Sequence, residues 1–170
     1  MRNGVRLGVD VGSVRVGVAR SDASGMIAVP VATLARDTQR RSDLDALSSL
    51  VSEHSAVEVV IGLPRSLSGQ EGAAARAARA YAVAVARRVA PVPVRLVDER
   101  LSTVTATRSL RDAGVKGRRH RPVVDQAAAV VILQSALDAG RASGRAPGSL
   151  VEPGPASGGP ARGAEEAGQA

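Results

Sequence analysis

In the first 34 residues apolar side chains come in short alternating runs, and from Leu44 onward they recur at every third or fourth position. This change of period constrains the fold most. Alternation suits a strand with one face buried, and a spacing of three and four suits one side of a helix. Val5, Leu7 and Val9 alternate with Arg6 and Gly8; Val14, Val16 and Val18 alternate with Arg15 and Gly17. Gly12-Ser13 between these runs predicts a hairpin turn. A third run, from Ile27 to Leu34, contains Pro30, which cannot donate to a ladder and so belongs at a sheet edge.

After the change, Leu44, Leu47, Leu50 and Val51 form a helical stripe, with Ser42 or Asp43 as its cap. Residues 57–61 read as a buried strand closed by Gly62-Leu63-Pro64, and residues 70–89, rich in Ala and Arg, as a helix. Pro91 and Pro93 stop that helix ahead of a strand at 94–97. Ser102 or Thr103 caps a further helix to about Ala113, residues 114–122 form a basic loop, and residues 123–139 a last helix. The order βββαβαβαα predicts an α/β domain over residues 1–139, a mixed five-stranded sheet flanked by helices. Residues 140–170 are almost entirely Gly, Ala, Pro, Ser, Arg and Glu, with Leu150 and Val151 the large apolar side chains. Such a composition offers too little apolar surface to offset chain entropy and predicts a disordered tail.

Composition narrows the function classes. The chain has no cysteine, so disulfides and thiolate metal sites are excluded. No apolar run approaches the roughly 20 residues of a membrane span, and no signal-peptide pattern follows Met1; a cytoplasmic protein is expected. The net charge of +7 favours a polyanionic partner. Tyr81 as the one aromatic residue argues against base stacking on aromatic platforms.

Acids stand where strands end. Asp10 ends an apolar strand, Asp98 and Glu99 end the last strand, and Asp125 opens the last helix. Sites of open α/β sheets collect at the carboxyl ends of strands. Carboxylates gathered there repel one another unless a cation lies between them. Oxygen-only sets suit Mg²⁺ or Mn²⁺, and two such ions about 4 Å apart activate water and stabilise the leaving oxygen of a phosphodiester. Taken singly, each acid is equally well a turn former or a helix cap; all three at sheet ends are harder to explain that way. Alternation does not decide between Asp98 and Glu99, because their strand is apolar on both faces.

Arg108, Arg111, Lys116, Arg118, Arg119 and Arg121 crowd into 14 residues with Asp112 the one opposing acid, beside Asp125. This run reads as a phosphate clamp, against the plainer reading of a solvated loop. Arg15 and Arg100 flank candidate acids and either pair with them or meet phosphate; Arg65 follows the Gly62-Leu63-Pro64 turn and is a further substrate contact. His54 and His120 have no partner at ligand spacing and read as surface residues.

The segments Leu7-Gly8-Val9-Asp10-Val11-Gly12 with Arg15-Val16-Gly17-Val18-Ala19, Ile61-Gly62-Leu63-Pro64 with Gly69, Val97-Asp98-Glu99-Arg100-Leu101-Ser102-Thr103, and Asp125-Gln126-Ala127-Ala128-Ala129 with Ile132-Leu133-Gln134 occur in that order. With them the chain resembles the YqgF/RuvX family of pre-16S rRNA nucleases, related to the RuvC Holliday-junction resolvases, over roughly residues 4–138. The resemblance implies an RNase H-like fold and a divalent metal. It places the family's acidic triad on Asp10, Glu99 and Asp125, and makes the 5′ leader of pre-16S rRNA the expected substrate. RuvC resolvases carry a further acid three residues beyond the last one, where this chain has Ala128, which argues against branched DNA as the substrate. Two other classes remain open. Asp10-Val11-Gly12 with Gly17 is similar to the first phosphate loop of actin-like ATPases, which need two such domains. A non-catalytic nucleic-acid binder would use the same basic face.

Overall fold

The computed structural model describes residues 3–65, 70–99 and 121–154, with the side chains of residues 121–124 outside that description. The expected helix after Ser102 and most of the basic run lie outside it too.

Three strands lead: β1 (Arg6–Val11), β2 (Arg15–Ser21) and β3 (Ala28–Ala35). The expected hairpin forms, with Val11 opposite Val16 and the Gly12 N–H donating to the Arg15 carbonyl at 2.8 Å. The register of β2 against β3 slips at Val18/Ala19, where Pro30 pairs with Ala19 and interrupts the ladder. Helix α1 (Ser42–Glu53) follows, then β4 (Glu58–Leu63), α2 (Ala73–Val89), β5 (Val94–Asp98) and α3 (Arg121–Ser143). The sheet order is β3-β2-β1-β4-β5-β6, with β3 at the edge as Pro30 required. β1, β4 and β5 run parallel, so their carboxyl ends share one edge.

Each face of the sheet has its own helices. Leu7, Val9, Val59 and Ile61 pack under α1 and α2, while Val60 and Ala19 pack under Ala129, Ile132, Leu133 and Leu137 of α3. β4, covered on both sides, is buried throughout.

Two expectations change. Neither Ser42 nor Asp43 caps α1: Arg41 takes the N-cap position and makes no side-chain cap bond. The Asp37 carboxylate does the work instead, accepting from the first helical N–H, that of Ser42, at 3.4 Å and from the Ser42 hydroxyl at 2.7 Å. Asp43 is buried and paired with Arg36 at 2.8 Å, and that guanidinium lies 4.4 Å from the centre of the Tyr81 ring.

The sheet also has six strands, not five. Helix α3 runs past the expected boundary at residue 140, and β6 (Ser149–Leu150) pairs antiparallel with β5. Val151 donates to the Val94 carbonyl at 2.9 Å and packs against the core. Without β6, the outer edge of β5 would present open backbone groups. The need to pair that edge recruits a segment whose side chains carry no strand signal.

Candidate active site

The site is built on the sheet face that α3 covers, at the carboxyl ends of β1, β4 and β5. Parity puts Asp10 there. It follows Gly8 by two residues, and the side of Gly8 faces Leu133 and the Ala129 carbonyl of α3. The same parity resolves the Asp98–Glu99 ambiguity. Val97 packs with the α3 cluster, so Glu99 returns to that face, while Asp98 pairs in register with Leu63 at the strand end. Asp10, Glu99 and Asp125 are all buried, at 1%, 3% and 5% exposure. Three carboxylates so removed from water need charge or hydrogen-bond compensation.

Two glycines make room for this group. A methyl at Gly62 would overlap Glu99 Oε1 and lie 2.6 Å from Ile132 Cδ1. One at Gly17 would overlap the Asp125 carbonyl oxygen and lie 2.5 Å from its carbon. Gly17 is the register partner of Asp10. The backbone of Asp125 therefore lies over the strand beside Asp10, and the Glu99 carboxylate lies over β4 on the other side. From sequence, Gly17 reads as the small member of an alternating run and Gly62 as the start of a strand-closing turn. Glycine inside an otherwise apolar strand marks a close approach of another element.

Helix α3 is held in place by polar ties as well as by its apolar face. Arg15 Nε donates to Asp125 Oδ2 at 2.7 Å. The Gln126 amide donates to Thr33 Oγ1 at 3.1 Å, and Gln134 accepts from the Ala28 N–H at 2.9 Å. Arg141 donates to the Gly25 carbonyl at 3.0 Å. Gln126 and Gln134 thus both position the helix that carries Asp125.

Of the expected substrate contacts, Arg15 is thus placed on Asp125. Arg65 is one-third exposed, between Glu71 (3.7 Å) and Asp98 (3.9 Å). Glu71 in turn holds Arg79, whose hydrogen bond keeps the Glu71 carboxyl below the usual carboxylate range. Arg100, Lys116, Arg118 and Arg119, with the Arg121 side chain, lie outside the described residues. His54 is half-buried rather than exposed, at the end of α1. Among the described residues, no three Asp, Glu or His side chains are gathered closely enough to form a ready-made metal cage. Asp125 Oδ2 is turned to Arg15.

A mixed sheet with three antiparallel leading strands and a helix laid across its face is an RNase H-like architecture. The backbone agrees: Thermus thermophilus RuvC in complex with a Holliday junction substrate superposes with a TM-score of 0.54, covering 85% of this chain and 99% of that one, at 16% identity. The chain belongs to the RuvX family, described as "Holliday junction resolvase", whose model matches residues 4–139. A Frankia casuarinae protein named "Putative pre-16S rRNA nuclease" is 59% identical over 91% of this chain and 76% of its own length. A Thermobifida fusca protein of the same name is 57% identical over 89% of this chain and 98% of its own. The chain is thus a hydrolase acting on phosphodiester bonds. Among the described residues no helix is long and apolar enough to cross a membrane.

Proposed function

We propose that this chain is a metal-dependent endonuclease of the cytoplasm that processes the 5′ end of pre-16S rRNA, with Asp10, Glu99 and Asp125 as its catalytic acids. The observation that carries this reading is the burial of three carboxylates from β1, the end of β5 and α3, around two glycines that leave no space for a side chain. The names of the Frankia and Thermobifida relatives supply the substrate class.

The donor set fits a hard divalent cation. It offers carboxylate oxygens alone, in a chain without cysteine, and Gly62 leaves room over β4 that the Glu99 carboxylate fills. Asp10 and Glu99 would hold Mg²⁺ or Mn²⁺, with Asp125 as a further donor. Bound there, the ion supplies an activated water and charge stabilisation for the leaving oxygen. The chain's own part is to hold the acids in place and to grip the phosphate backbone. Arg65, Arg100, Lys116, Arg118, Arg119 and Arg121 are the proposed grips, with Arg15 shared between Asp125 and substrate.

A second reading, cleavage of branched DNA, is favoured by the family's description and by the junction-bound RuvC neighbour. Against it stands Ala128, 2% exposed and packed on the sheet where resolvases carry an acid. The test is cleavage of labelled pre-16S leader RNA, RNA duplex and four-way DNA junction with Mn²⁺, Mg²⁺ or EDTA, for the wild type and Asp10→Asn. Metal-dependent cutting of the leader, absent in the variant, is the expected result. Preference for the junction would select the second reading, and binding without cutting would reduce the chain to a binding factor.

A further inference from the structure

On the sheet face opposite the carboxylates, the N-terminal end of α1 and the C-terminal end of α2 frame an opening of about 370 Å³. Arg40 and Arg41 stand on one side, Arg87 and Arg88 on the other, with Leu44 at the base and Asp45 as the one acid of the lining. Four guanidiniums stand against Asp45 in the lining and Asp37 beside the Arg40–Arg41 wall, which leaves a local charge of +2. All four arginines are exposed. Arg88 is paired with Asp45, and among the described residues Arg40 and Arg41 have no carboxylate partner.

The arginines are set on a fixed frame. Asp37 gathers the N–H groups of Gln39, Arg40 and Ser42 and the Ser42 hydroxyl. Arg41 sits at φ 58°, a left-handed conformation that costs a non-glycine residue energy. Across the opening, Arg87 Nε donates to the Pro153 carbonyl at 2.5 Å, so the segment after β6 fixes the second wall.

From this we propose that the α1–α2 opening is a second nucleic-acid contact, binding the phosphodiester backbone of an RNA longer than the catalytic edge can hold. The chemistry selects the ligand. Planar guanidinium forks match phosphate oxygens, and contacts to the phosphate backbone carry no sequence information, so the contact is indifferent to sequence. An apolar protein surface would find little here, because the base of the opening is one largely buried leucine. The inference rests on the chain acting on nucleic acid, but not on its cutting.

The test uses the full chain carrying Asp10→Asn, so that RNA survives, with Arg40→Glu and Arg41→Glu added together. Affinity is measured over a range of salt for a short oligoribonucleotide that fills only the carboxylate edge and for leader RNA several times longer. For the long RNA, affinity should fall about tenfold and the salt slope should drop by about 1.5, as expected for two lost phosphate contacts. The short one should bind as before, which also shows that the variant is folded. An unchanged isotherm for the long RNA overturns the proposal. So does equal weakening for both, which would reduce the arginines to a general field. Should the wild type cut nothing while the long-RNA effect holds, the nuclease reading fails and this one stands.

Discussion

Arg15 Nε stands 2.7 Å from Asp125 Oδ2, joining the first residue of β2 to the second turn of α3 across 110 positions of sequence. The pair is one-third open to water on the arginine side and nearly closed on the aspartate side. Arg15→Gln leaves a buried carboxylate without this partner. Allowing for the exposed side, it should cost about 1–2 kcal/mol of stability, read by urea unfolding. Arg15→Lys should restore part of it, since an ammonium lacks the guanidinium fork. An unchanged unfolding midpoint in both would remove the pair from the architecture of the site.

Glu99, rather than Asp98, faces α3. Glu99→Gln is therefore expected to slow cleavage by about 100-fold or more, equivalent to roughly 2.7 kcal/mol of transition-state stabilisation, with RNA binding retained. Asp98→Asn should stay within a few-fold of wild type. The reverse ranking of the two rates would reverse the assignment.

Gly62→Ala puts a methyl where Glu99 Oε1 and Ile132 Cδ1 lie. It should destabilise the fold by about 1–3 kcal/mol and displace the candidate ligand. Gly17→Ala meets the backbone of Asp125, which cannot swing aside, and should cost more. Calorimetric melting of both variants, with wild-type transitions as the disproving result, checks the close approach of α3.

Asp37 is held down to about 2, first by the Ser42 hydroxyl and then by the Arg40 N–H. A carboxyl with a folded-state pKa below its unfolded value stabilises the fold in its ionised form. That contribution is complete above the ordinary range near ~4 and is lost as pH falls toward 2. Wild type should therefore melt above Asp37→Asn at neutral pH, and the gap should shrink from about pH 4 downward. A gap independent of pH would assign the effect to packing instead.

A chain ended at Ser143 lacks β6 and the Val151 contact. It should lose about 1–2 kcal/mol, from re-exposed apolar surface and an unpaired edge on β5. The compositional reading of residues 140–170 as a tail expects no loss. Equilibrium unfolding of the shortened chain decides between them.

Much of the fold was legible because it depends on local pattern. Leu7 and Val9 in β1 and Val16 and Val18 in β2 alternate so that they share the face under α1 and α2, and Pro30 marks an edge. The order of strands and helices then leaves few topologies. The acids could be picked out because carboxylates at the ends of apolar strands are costly unless used. By contrast, β6 was invisible, since its stability comes from backbone pairing with β5 rather than from its own side chains. The cap of α1 was misplaced because Asp37 reaches it through a turn.

By itself the sequence determined the strands, the helical stripes and which residue types stand at the carboxyl edge, since period and composition act over a few neighbouring residues. Only the tertiary structure decided that Glu99 and not Asp98 turns inward, that Arg15 holds Asp125, and that Gly17 and Gly62 exist to let α3 lie against the sheet. Those relations depend on which residues of distant segments share a face, and a face is defined only once the strands are in register.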